Sequence, residues 1–162
     1  MSKKVLVLGE VKDNALRNVS FEVIAAAKTI SGGAEVTALL IGDDVKGYAN
    51  ELAQYGADRV LVVEDAKLAQ YTADGYSQAF MAVYEQEQPD AIVMGHTAQG
   101  KDLSPKIATK IDAGLISDVT SIEGEGDDAV FVLPIYSGKA FEKVKINDGL
   151  TFVTVRPNNI TP

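Results

Sequence analysis

Four short, nearly unbroken apolar runs limit what this chain can become: Val5 to Leu8, Val36 to Ile41, Val60 to Val63 and Ala91 to Met94. A strand with one wet face alternates apolar and polar side chains. Strands this continuously apolar must be covered on both faces, as they are in a parallel sheet held between two layers of helices.

The intervals between the runs supply those helices. Leu16, Val19, Val23, Ile24, Ala27 and Ile30 recur at helical spacing, and Gly32-Gly33 stop the pattern. Asp43 or Asp44 can cap a second helix whose apolar face is Val45, Tyr48, Ala49, Leu52 and Tyr55, with Gly56 at its end. A short helical turn is expected around residues 66–70. Tyr76, Phe80, Val83 and Tyr84 mark a longer helix that Pro89 closes. Strand and helix alternate four times, so the fold class is α/β, a parallel sheet flanked by helices.

The fourth run opens the stretch richest in functional content. Gly95 ends the strand, and residues 96–102 read as a polar loop. Ser104 is then suited to cap a helix with Pro105 in its first turn, and Leu103, Ile107 and Ile111 form its apolar face. Strand, glycine, loop and helix in this order place a site at the carboxyl ends of an open α/β sheet.

In the last third the helical periods stop. Val119 to Ile122, Ala129 to Leu133, Phe141 to Ile146 and Thr151 to Val155 read as short strands. Turn compositions separate them: residues 124–128, Ser137-Gly138 and Asn147-Asp148-Gly149. Tight turns force antiparallel neighbours, so an antiparallel β-meander is expected at one edge or end of the sheet.

Three separated motifs carry a family resemblance. The first is Gly95…Gly100-Lys101-Asp102-Leu103…Pro105-Lys106-Ile107-Ala108, followed by Ser117-Asp118-Val119-Thr120. The second runs from Pro134 to Ala140 through Ile135, Tyr136, Ser137, Gly138 and Lys139, and the third is Thr154-Val155-Arg156. In order and spacing they resemble the amino-terminal domain of the electron transfer flavoprotein alpha subunit. That family usually has Arg where Lys101 and Lys106 stand, and often Asn where Lys139 stands.

The resemblance implies an adenine nucleotide alpha hydrolase-like, Rossmann-type three-layer fold. It implies a single domain over residues 1–157, with 158–162 beginning a linker. It implies FAD in the full-length parent, held mainly by a carboxyl-terminal domain absent from this chain, and none bound by this fragment. The implied partners are an electron transfer flavoprotein beta subunit and, through the complex, flavin dehydrogenases. The implied role is a scaffold in an electron carrier, not an enzyme. The alternative is a free-standing adenine-nucleotide sensor of the universal-stress type.

Read from the residues alone, each candidate site has a plainer explanation. Gly95, His96, Thr97, Gly100 and Lys101 form a possible nucleotide loop. Ala98, however, stands where a Gly-x2-Gly pattern needs its second glycine, and Lys101 is the only basic group, so a structural loop is preferred. Ser31-Gly32-Gly33 resembles the start of an SGGxDS pyrophosphate loop. It follows a helix rather than the first strand, which makes it a helix C-cap. His96 is the single histidine, and the sequence places no carboxylate or nucleophile beside it. Glu64-Asp65 and Asp127-Asp128 read as solvated acids, and no metal site is expected. Tyr136 reads as a buried aromatic or a contact to another domain. Arg156 ends the last strand, where a pairing across a domain junction is plausible.

Composition narrows the partners. A formal net charge of -8 argues against nucleic acid and anionic membrane surfaces. The absence of cysteine removes disulfides and thiolate metal sites. The first apolar run is too short for a signal peptide, so a cytoplasmic location is the expectation.

Overall fold

The computed structural model describes residues 3–135, 140–146 and 149–162. Tyr136, the Ser137-Gly138 turn and the Asn147-Asp148 turn lie outside the described residues.

The chain begins with β1 (Val5–Leu8), a small hairpin of β2 (Val11–Lys12) and β3 (Ala15–Leu16), and α1 (Val19–Ser31). Then come β4 (Val36–Gly42), α2 (Ala49–Gln54), β5 (Arg59–Glu64), α3 (Ala73–Glu87), β6 (Ala91–Gly95) and α4 (Ala98–Lys110). The last third holds β7 (Ile116–Val119), β8 (Ser121–Glu123), β9 (Val130–Ile135), β10 (Ala140–Val144) and β11 (Thr151–Val155). Six strands form the main sheet in the order β5-β4-β1-β6-β11-β7, and every adjacent pair is parallel.

Side chains leave the central strands alternately, so each strand feeds both faces. Val5, Val7, Ala91, Val93, Val153 and Val155 pack with α1 and Leu52 of α2. Leu6, Leu8, Ile92, Met94 and Phe152 pack with Phe80 of α3 and Leu103 and Ile107 of α4. This is the expected three-layer arrangement. Gly32 caps α1 with φ 59°, as the C-cap reading requires.

Several local expectations are corrected. Leu16 belongs to the hairpin and not to α1. Neither Asp43 nor Asp44 makes a capping hydrogen bond. Asp44 is left-handed at φ 57°, and a short 3-10 turn, Lys46–Tyr48, precedes α2. The expected 96–102 loop is largely helix. Thr97 is the cap of α4, its Oγ1 accepting from Gly100 N–H at 3.0 Å, so Ser104 and Pro105 lie inside the helix. Thr97-x-x-Gly100 was the overlooked signal, because Pro105 drew the helix start seven residues too late.

The meander exists as a separate antiparallel sheet ordered β10-β9-β8. Phe131 and Ala129 anchor it to the α1 side of the core. The first expected strand is split, Val119 ending β7 in the main sheet, and the fourth is not part of the meander. β11 returns to the main sheet and inserts between β6 and β7, parallel to both. All five of its residues are buried, and only a central position buries them. The tight-turn argument failed here because the chain changes sheets between β10 and β11.

Candidate functional site

The carboxyl ends of β1, β6, β11 and β7 converge on one edge of the sheet. The chain runs outward from β1 to β4 on one side, and β6 lies on the other. The strand order therefore reverses between β1 and β6, where open α/β sheets form their crevices.

The sequence places Glu10 one residue beyond the glycine that ends β1. Its backbone is fixed by the hairpin base: Glu10 N–H donates to Ser20 Oγ at 2.8 Å, and Arg17 N–H donates to the Glu10 carbonyl at 2.8 Å. The Glu10 side chain is only 6% exposed. Its Oε2 accepts from the Thr97 hydroxyl at 2.8 Å, and Oε1 lies 3.6 Å from an Arg17 guanidinium nitrogen. Burial pushes the Glu10 carboxyl above its ordinary range, opposed by the Thr97 hydrogen bond and by Arg17 and Lys12. Beside it opens a cleft of about 510 Å³, lined by Lys12, Arg17, Tyr71, Gln99 and Asp102 among others. The Tyr71 hydroxyl donates to Asp102 Oδ2 at 2.7 Å, and burial with that carboxylate raises the phenol's pKa.

A second cluster follows at β6, β11 and β7. Across β11 and β7, Val153 pairs with Ile116 and Val155 with Val119, so Thr154 faces both Ser117 and Asp118. This β-bulge sets Asp118 at φ 69° and sends its N–H to Thr154 Oγ1 at 2.9 Å. His96 Nδ1 is 3.0 Å from the same hydroxyl, and its Nε2 is 3.9 Å from Asp118 Oδ1. With the Thr154 oxygen already accepting from Asp118 N–H, its proton can go to Nδ1, which leaves the Nε2 proton facing Asp118. Burial lowers the His96 pKa, Asp118 counteracts, and Lys101 and Arg156 reinforce the lowering. His96 thus has the carboxylate neighbour that sequence reading did not supply. Arg156 pairs within the domain, with Asp118.

All five candidate loop residues lie at this edge. Gly95 ends β6, His96 joins the Thr154 cluster, Thr97 caps α4, and Gly100 and Lys101 sit in its first turn. Gly95 is not among the positive-φ residues. It must be small because a Cβ there would meet Val19 Cγ2 at 2.7 Å. A Cβ on Gly100 would meet the Gly95 carbonyl oxygen at 1.8 Å. Glu10, Asp118 and Thr154 were missed as site residues, because only the folded sheet brings them beside the loop. Among the described residues, no group of three or more His, Asp and Glu side chains could hold a metal. No helix among them is long and apolar enough to cross a membrane.

The sequence profile of the electron transfer flavoprotein domain matches residues 5–162. This chain belongs to the electron transfer flavoprotein family. It is 58% identical over 160 residues to the electron transfer flavoprotein subunit alpha of Bacillus subtilis (strain 168), covering 99% of this chain and 49% of that protein. The alpha subunit of Syntrophomonas wolfei is 36% identical over 148 residues, covering 91% and 46%. The acryloyl-CoA reductase electron transfer subunit beta of Anaerotignum propionicum is 32% identical over 123 residues, covering 75% and 34%. The chain spans about half the length of the alpha subunits it matches.

The family is one of flavoproteins, so the crevice must be tested against a flavin diphosphate. The residues present do not fit it. A diphosphate at the start of α4 would face the buried Glu10 carboxylate, which already holds the capping hydroxyl.

Proposed function

We propose that this chain is the amino-terminal scaffold and interaction domain of an electron transfer flavoprotein alpha subunit, and is neither a redox site nor an enzyme. In the parent, FAD sits mainly on a second, carboxyl-terminal domain. The alpha and beta subunits together carry electrons from flavin dehydrogenases to a downstream acceptor. The relatives' names support the electron-carrying role. The observation that carries the scaffold reading is the Glu10–Thr97 hydrogen bond at 2.8 Å, which sets a carboxylate at the helix start where a cofactor phosphate would dock. The polar groups of the edge are spent on one another, bracing strands β1, β6, β11 and β7. The universal-stress alternative needs that helix start open to phosphate.

The beta subunit is proposed to cover the meander. Among the described residues β10 pairs only with β9, and Phe141 on it is 62% exposed. An edge strand carrying an exposed aromatic favours a partner.

Mixing the purified chain with FAD and dialysing tests the scaffold reading. We expect a colourless protein, and stoichiometric flavin absorbance would overturn the reading. Titration with ATP and AMP by calorimetry addresses the sensor alternative, which tight binding would favour. Hydrogen exchange with and without a beta subunit tests the interface. Protection is expected over residues 121–135 and 140–144, and protection confined to the helices before Pro89 would refute it.

A further inference from the structure

The misfit between this crevice and a phosphate traces to one side chain. We propose that Glu10 is the specificity-determining residue of the switch-point cleft: its carboxylate takes the place that a phosphate takes in anion-binding α/β domains and denies the cleft to anionic ligands. The inference rests on the scaffold reading above and names the residue responsible for it.

The other parts of an anion site are in place. Gly95 and Gly100 allow the strand end and the first turn of α4 to approach closely. The N–H groups of Ala98 and Gln99 precede the first intrahelical bonds of α4, and both residues line the cleft. Lys12 and Arg17 supply two positive charges, and the cleft's roughly 510 Å³ is ample for a phosphate group. Glu10 reverses the outcome. Its backbone is pinned by Ser20 and Arg17, and its carboxylate is held by the Thr97 hydroxyl and the Arg17 guanidinium. The single proton of the Thr97 hydroxyl is spent on it, while the same oxygen accepts from Gly100. An incoming dianion would meet a like charge in a poorly solvated place, where repulsion is least screened.

Glu10 also makes the exclusion depend on pH. Its buried carboxyl accepts a proton at higher pH than an exposed one, so acidification removes the opposing charge. The other groups facing the cleft are Lys12 and Arg17 from the hairpin side, Asp102 from α4, and Tyr71 ahead of α3. Tyr76 of α3 also feels the Glu10 charge.

Calorimetric titration of the 162-residue chain with inorganic phosphate and with AMP, at about pH 8 and about pH 5.5, tests the proposal. Glu10→Gln removes the charge and keeps the shape, and Glu10→Ala removes both. We expect no detectable binding by the wild type at the higher pH and at least a tenfold gain in affinity in either variant. If both variants fold, by circular dichroism, yet stay as inert as the wild type, the proposal is overturned and the scaffold reading stands. Tight AMP binding by the wild type at the higher pH would overturn both. Should neither variant fold, the wild type decides: sulfate, which stays a dianion over this range, should bind more tightly as the pH is lowered, and an affinity that fails to rise refutes the role of Glu10.

Discussion

Arg156 holds Asp118 with two nitrogens. Nε lies 2.8 Å from Oδ1, and Nη2 bonds Oδ2. The Arg156 N–H also donates to the Val119 carbonyl at 2.9 Å, so backbone and side chain together close the ends of β11 and β7. The clamp lies over the bulge that puts Asp118 at φ 69°, a conformation few aspartates adopt without support.

Arg156→Ala should therefore loosen this corner without unfolding the domain. Arg156 is 45% exposed, so solvent screens much of the attraction. The expected loss is about 0.5–1 kcal/mol, the upper end for a bidentate surface pair. Chemical denaturation at low and high salt checks it. The difference from wild type should shrink as salt rises.

Gly100→Ala should cost more than Gly95→Ala. The new methyl at Gly100 would collide with backbone, the Gly95 carbonyl oxygen, whereas at Gly95 it meets the Val19 side chain. We expect about 3 kcal/mol or more for the first and about 1–3 kcal/mol for the second, as overpacking costs elsewhere. Gly95→Val should approach the Gly100 penalty. Thermal melts of the three variants give the ranking, and Gly100→Ala melting like wild type would contradict the close approach.

His96 should make the domain acid-sensitive. Burial lowers its pKa below the ordinary 6.5. As pH falls, the unfolded chain takes up the proton first, so protonation favours unfolding. The His96 contribution is complete above about pH 6.5 and is lost below it. His96→Asn keeps an acceptor for Thr154 and cannot titrate. Between about pH 7 and pH 5, wild-type stability should fall relative to this variant, and parallel stability curves would refute the assignment.

Glu22 should secure the chain after β11. It is 1% exposed, and its Oε1 accepts from Asn158 N–H at 2.7 Å. Its Oε2 has no hydrogen-bond partner among the described residues. Ile160 packs against the same core face as α1. Glu22→Ala should speed exchange of the Asn158 amide at least tenfold beyond any change at Val153, while Glu22→Gln should keep the protection. Equal acceleration at both amides would mean global destabilisation and no local anchor.

The sequence by itself determined the layers. Val5 to Leu8 and Thr151 to Val155 match their strands residue for residue, because local apolar content dictates burial. Gly32 ends α1 through local backbone chemistry that a short window contains. The cap of α4 was equally local in Thr97 and Gly100, but Pro105 offered a competing start, and propensity could not rank the two. Only the tertiary structure decided that β11 enters the sheet between β6 and β7, because strand order is a choice among distant partners of similar apolar character. That choice sets Thr154 beside His96 and Asp118 beside Arg156. The same assembly brings Glu10 to Thr97, 87 positions apart in the chain. Contacts of that separation leave no periodic trace in sequence. They exist because a parallel sheet gathers the carboxyl ends of its strands on one edge, where the polar groups must find one another or water.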